Sequence, residues 1–155
     1  MAILGSARLA WQSDYGQFYL VDLRDTAFTP PMAITPVMER QRFQATPAGL
    51  VVYTADCLQQ HVEIRVHDAE PVFSEVELMS DRPWTQVETT PAHFPCRTFS
   101  ISSPCAPDPQ PLGPLFLTPS EHVQVRIAWV EFDGARDDSV PVEPDVIQID
   151  IWPAA

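Results

Sequence analysis

The amino-acid sequence predicts an all-β fold, an antiparallel β-sandwich of about seven to eight short strands with long proline-rich loops and little helix. Three observations carry this. Apolar residues recur at every second position in one stretch after another, the period of an extended strand and not of a helix. The alternating stretches are short and separated by turn-forming residues. Seventeen prolines stand against five glycines, and proline on sheet edges blocks the edge-to-edge pairing that open sheets invite.

Along the chain, the first strand lies in Gln17–Leu23, with Phe18 and Leu20 on one face and Tyr19, Val21 and Leu23 on the other. Residues 24–48 hold Pro30 and Pro31 and end at Thr46 and Pro47 before Gly49. They read as an extended or irregular connection that wraps an edge, and only Val37–Gln44 offers a helix, of about two turns. GLVVYTA at 49–55 is a compact apolar run. After a turn, QHVEIRVH alternates strictly, with Val62, Ile64 and Val66 facing in and His61, Glu63, Arg65 and His67 facing out. VFSEVELM at 72–79 alternates again, with Glu75 and Glu77 outward. Residues 81–95, rich in proline and threonine, read as loop or irregular strand. RTFSIS at 97–102 is a strand with Phe99 and Ile101 on one side, and LFL at 115–117 is a shorter one. Between them SPCAPDPQPLGP puts five prolines in twelve residues, which forbids a regular ladder.

The best-defined unit comes last. In His122–Phe132, Val123, Val125, Ile127 and Trp129 share one face, while Gln124, Arg126, Ala128, Val130 and Phe132 share the other. The second face passes from polar to apolar, so this strand starts wet and ends covered on both sides, as interior strands do. VIQIDIW at 146–152 repeats the period after the loop at 133–145.

Composition excludes several functions. The chain, 1–155, is the size of a single domain with a core of its own. All nine basic residues are arginine, which removes a Schiff-base lysine and a phosphate-loop lysine. The glycines are too scattered for a phosphate-cradling loop, so no cofactor is expected. The net charge is −12, and Glu131–Asp150 holds seven acids against Arg136. A surface of that sign repels nucleic acid and anionic lipid and attracts a basic protein, although acidic surfaces also serve solubility alone. Cys57, Cys96 and Cys105 are odd in number and read as thiols of a reducing compartment. No signal peptide or membrane span is visible, so a cytoplasmic location is expected.

No motif selects a catalytic centre. The outward His61, Glu63, Arg65 and His67 are spaced by nearly 7 Å per step, too far for one metal ion, and no metal site is assigned. They read instead as a solvated face with ion pairs to Glu75 or Glu77. Carboxylates abound, but nothing singles out a hydrolytic pair. Cys57 precedes His61 by four residues without a supporting motif. Trp84, in the proline-flanked RPWT, is the tryptophan best placed to stack a sugar or other small ligand, whereas Trp129 reads as core.

Three pieces together carry a family likeness: YGQFYLVD at Tyr15–Asp22, HVQVRIAWV after a Thr-Pro turn, and the terminal IQIDIWPA. In these the sequence resembles the competence-protein-J family, small bacterial β-sandwich proteins whose named member inhibits a nuclease. Tyr15, Gln17 and Phe18 match the family's Tyr-x-Gln-Phe start, and Glu121 departs from it where comparable turns carry glycine. The resemblance implies a non-catalytic inhibitor or immunity-type protein with a basic partner such as a nuclease. Charge alone then selects Glu131, Asp133, Asp137, Asp138, Glu143 and Asp145 as the partner-binding segment. The alternatives are a carbohydrate- or small-ligand-binding module using Trp84, and a small hydrolase whose carboxylates the sequence does not identify.

Overall fold

A computed structural model describes residues 2–13, 15–22, 28–55, 59–104, 114–132, 134 and 143–155. Among them, the strands form two five-stranded sheets. The first contains, in spatial order, β1 (Ile3–Gln12), β5 (Gln59–His67), β10 (Val146–Pro153), β9 (His122–Val130) and β6 (Gln86–His93). The second contains β3 (Phe43–Thr46), β4 (Gly49–Tyr53), β2 (Gln17–Val21), β7 (Thr98–Ser102) and β8 (Phe116–Leu117). Every pairing is antiparallel except that of β10 with β5. The two sheets pack face to face as a β-sandwich.

The core is the set of inward residues that alternation selects. Val62, Ile64 and Val66 meet Val125, Ile127, Ile147, Ile149 and Ile151 on the first sheet, and Phe18, Leu20, Leu50, Val52 and Ile101 oppose them. Each fully buried side chain of this size contributes about 1.5–3 kcal/mol. Trp129 is buried as expected, and its indole N–H is donated to the Tyr53 carbonyl at 3.0 Å. That bond satisfies the polar atom that burial would otherwise strand. The β9–β10 unit forms the antiparallel pair its shared period implies.

The second sheet has a covered outer face too. Tyr19, Val21, Val51 and Tyr53 pack there with Met38 and Phe28. Met38 comes from a six-residue helix, α1 (Pro36–Gln41), shorter than the Val37–Gln44 expected. Thr35 starts it, its hydroxyl accepting from the Met38 N–H, and Pro36 occupies the first turn. It ends at Arg42, which takes a left-handed φ of 62°. Gly49 comes so close to β2 that a Cβ there would lie 2.2 Å from the Leu20 carbonyl oxygen.

Three expectations need correction, and one alternative, loop or irregular strand for residues 81–95, is decided in favour of strand. Ile3–Gln12 is a strand, paired with β5, with Ala7, Leu9 and Trp11 alternating toward the core. Phe43–Thr46 is a strand hairpinned to β4 and not part of an irregular connection. Gln86–His93 is likewise a strand: it is a sheet edge, where Pro91 can sit without breaking a ladder on both sides. VFSEVELM, by contrast, is not a strand and makes only the isolated bridge Val76–Pro83. It belongs to a strap, residues 68–84, laid across the outer face of the first sheet. Arg126 reaches the strap from β9, donating to the Pro71 carbonyl at 3.3 Å and lying 4.6 Å from the centre of the Phe73 ring. The strap also inverts two burial expectations. Glu77 and His67 are buried, while Leu78 and Met79 are exposed.

Candidate functional site

The end of β9 opens into a cleft of about 660 Å³, walled by Tyr15, Ile34, Glu39, Arg42, Tyr53 and Glu131 among others. The backbone explains the wall. Arg42 N–H closes α1 on Met38, the Arg42 carbonyl accepts from Tyr53 N–H at 2.9 Å, and its guanidinium lies 5.0 Å from the Trp129 ring centre. That guanidinium also pairs with Glu131. Tyr15 and Gly16 both have left-handed φ, 53° and 68°, and the Tyr15 side chain stands exposed at the mouth. Burial pushes the Tyr53 phenol above its usual pKa, so it faces the cleft as a neutral hydroxyl at ordinary pH.

The residues selected by charge separate into three groups. Glu131 lies on the cleft wall, paired as described. Glu143 is exposed, with Arg82 at 3.6 Å. Asp145 is buried, its carboxylate accepting from the Phe132 N–H at 2.6 Å and its carbonyl from the His61 N–H at 2.9 Å. It therefore pins the two ends of the acidic segment to the sheet and does not face solvent. Asp133, Asp137 and Asp138 lie outside the described residues, as do Cys57 and Cys105. Cys96 is half-buried.

Trp84 is half-buried rather than free-standing. Its indole N–H is donated to the Ser74 carbonyl at 2.6 Å, and its ring stacks on Phe73 at 6.1 Å and 23°. One ring face is thereby committed to the strap.

The outward row of β5 forms ion pairs, though mainly with β1. Arg8 reaches Glu63 at 3.1 Å and Glu77 at 3.7 Å, and Arg65 reaches Glu63 at 2.7 Å. The partly exposed pairs of Glu63 with Arg8 and Arg65 are worth under about 1 kcal/mol each. Burial raises the Glu77 carboxyl, but hydrogen bonds from Ser80 and Met79 and the charge of Arg8 together outweigh it and leave the pKa below the usual value. His67 leaves that row for a buried network. Its Nε2 donates to Asp150 Oδ1 at 2.7 Å, Gln148 donates to Oδ2 at 2.8 Å, and Arg126 stands 3.8 Å away.

One constellation has no sequence precursor in any motif. His93 at the end of β6 and His122 at the start of β9 are register partners, and their rings stack at 4.4 Å and 9°. With Glu121 they bring ligand-capable atoms within 4.8 Å of one another. Twenty-eight residues of intervening chain hide this pairing from a local reading; the β6 strand assignment would have revealed it. No helix of the described residues is long and apolar enough to cross a membrane.

No protein-family model matches the chain, and no curated protein matches it. Solved structures do. ComJ from Bacillus subtilis, described as an inhibitor of the DNA degrading activity of NucA, superposes with a TM-score of 0.67 at 18% identity, over 99% of this chain and 98% of that one. The protein of crocagin biosynthetic gene J superposes with a TM-score of 0.58 at 16% identity, over 100% of both chains. At such identities the likeness is one of fold, and in fold it bears out the resemblance to the competence-protein-J family that the three sequence motifs carry.

Proposed function

We propose that this chain is a non-catalytic binding protein of inhibitor type whose partner is a nuclease. The observation that carries the reading is the superposition on ComJ over 99% of this chain and 98% of that one. Charge supports it physically. Nucleases present basic clefts to phosphate, and a protein of net charge −12 is steered toward such a cleft and can fill it with carboxylates. In this reading Glu131, Asp133, Asp137, Asp138 and Glu143 meet the partner, and Asp145 holds their segment in place. The same charge opposes direct binding of nucleic acid.

The test is a pull-down from the source organism's lysate at low and high salt, followed by a DNA-degradation assay on any nuclease retained. A basic nuclease held at low salt, released at high salt and inhibited when bound is the expected result. The combined reversal Asp137→Arg, Asp138→Arg and Glu143→Arg should abolish both retention and inhibition. Retention that ignores salt and survives the reversal would sink the acidic-segment reading.

A second reading rests on the cleft. Its volume of about 660 Å³ falls in the range of small-ligand sites, and Arg42 against Trp129 couples its wall to a fluorophore. Saturable quenching of tryptophan emission by sugars or other small ligands would favour that role. Loss of the quenching in an Arg42→Ala variant would place the ligand there and not at Trp84.

A further inference from the structure

We propose that His93, Glu121 and His122 form a binding site for one divalent transition-metal cation of the zinc type. The three side chains converge from two elements, the end of β6 and the turn that opens β9, and their candidate ligand atoms all lie within 4.8 Å of one another. A tetrahedral zinc ion with Zn–N bonds of about 2.0–2.1 Å needs ligand atoms about 3.3 Å apart. The closure required is small, and the two exposed members, Glu121 and His122, can make it by side-chain rotation.

The decisive feature is the anchoring of His93. Its Nδ1 lies 2.8 Å from the Pro47 carbonyl oxygen. A carbonyl only accepts, so Nδ1 carries the proton and, in the neutral ring, Nε2 carries the lone pair. That Nε2 faces Glu121, whose Oε2 lies 3.6 Å away. An imidazole held by a backbone carbonyl on one nitrogen and presenting the other is the arrangement that metal-ligating histidines use to fix tautomer and orientation. The stacking of His93 on His122 at 4.4 Å aligns the second imidazole beside the first.

The site also has room for a further ligand. A shallow cavity of about 190 Å³ is lined by Thr46, Pro91, His93 and His122 among others. Three protein ligands plus a water in this space complete four-coordination. Two imidazoles and one carboxylate select zinc, copper or nickel over magnesium and calcium, which prefer all-oxygen sites. Through Pro47 the site touches the β3–β4 turn of the second sheet, so a bound ion ties the edges of the two sheets together.

The test uses tag-free protein titrated with Co²⁺, read by its visible d–d absorption, and with Zn²⁺, read by calorimetry. One equivalent should bind, and the melting temperature should rise with saturating Zn²⁺. His93→Gln and His122→Asn should each weaken binding at least about tenfold, and Glu121→Gln should weaken it as well. His61→Ala should leave it unchanged. Because Glu121 and His122 are exposed, the metal-free melting temperatures of their variants should match the parent, which separates lost ligation from lost folding. Absence of saturable binding, or binding that survives both histidine substitutions, would overturn the site.

Discussion

The strongest stability prediction concerns Asp150, in the middle of the central strand β10. The residue is 3% exposed, and its carboxylate faces outward from the core, into the layer between the first sheet and the strap. It accepts from His67 and Gln148 and neutralises Arg126, itself 7% exposed. Asp150→Ala removes the only carboxylate in contact with Arg126 among the described residues. The guanidinium keeps the Pro71 carbonyl and the faces of Phe73 and Trp152, but a buried cation without a counter-charge costs about 3–5 kcal/mol. For a domain of this length each kcal/mol lowers the melting temperature by about 2–4 °C, so the expected drop is roughly 6–20 °C. Urea unfolding should show a lower midpoint with an unchanged slope, which marks lost stability and not a changed unfolded state. Asp150→Asn preserves volume and part of the hydrogen bonding, and should lose less. The double variant Arg126→Met, Asp150→Leu should recover at least about 1 kcal/mol of the single variant's loss, because it removes the stranded charge. A loss below about 1 kcal/mol for Asp150→Ala would refute the reasoning, since it would mean that water reaches Arg126 and that the strap does not seal this face.

Two further predictions test other joints of the fold. Gly49→Ala should destabilise by well over about 1 kcal/mol in a thermal melt, because its φ of 155° and the Leu20 carbonyl 2.2 Å from the added Cβ leave nowhere for a methyl group; a melting temperature equal to the parent's would show that β2 and β4 part more easily than their register implies. Glu77 has a carboxyl pKa below the ordinary 4.5 in the folded chain, so its contribution is fully present above that value and is lost as pH falls through the lower folded one. Melting curves taken from pH 7 down to pH 3 should therefore show the stability gap between the parent and Glu77→Gln narrowing below about pH 4.5; a gap that stays constant or widens there would contradict the assigned sign.

Strands buried on one face and wet on the other were legible because their pattern is local. QHVEIRVH and HVQVRIAWV place their inward residues correctly without any knowledge of their neighbours. The polar-to-apolar drift of the β9 outer face also foretold its cover, and Ala128 and Val130 are indeed buried. Legibility failed where a long-range partner decides. The alternation of VFSEVELM looks like a strand, yet the segment lies across a sheet whose outer face already carries Arg126, Asp150 and His67. Packing on those side chains sets which strap residues are buried, so Glu77 turns in and Leu78 turns out. His67 was read as solvated for the same reason: nothing in its own strand announces the strap above it.

The candidate sites divide along the same line. Charge runs are visible in sequence, but charge does not say which carboxylates are exposed. Asp145 and Glu143 are two residues apart, and one caps a backbone N–H inside the fold while the other faces solvent. The histidine pair was invisible for a different reason. His93 and His122 become neighbours only through the β6–β9 register, and residues 81–95, rich in proline and threonine, read as loop or irregular strand with no pairing partner assigned. At a sheet edge proline is tolerated, because one side of the strand has no ladder to lose. Edge strands are therefore where a sequence reading leaves ladders unassigned, and with them the cross-strand clusters that those ladders assemble. In this chain the edge read only as loop or irregular strand holds both the His93 anchor on Pro47 and the one His-containing ligand cluster found among the described residues.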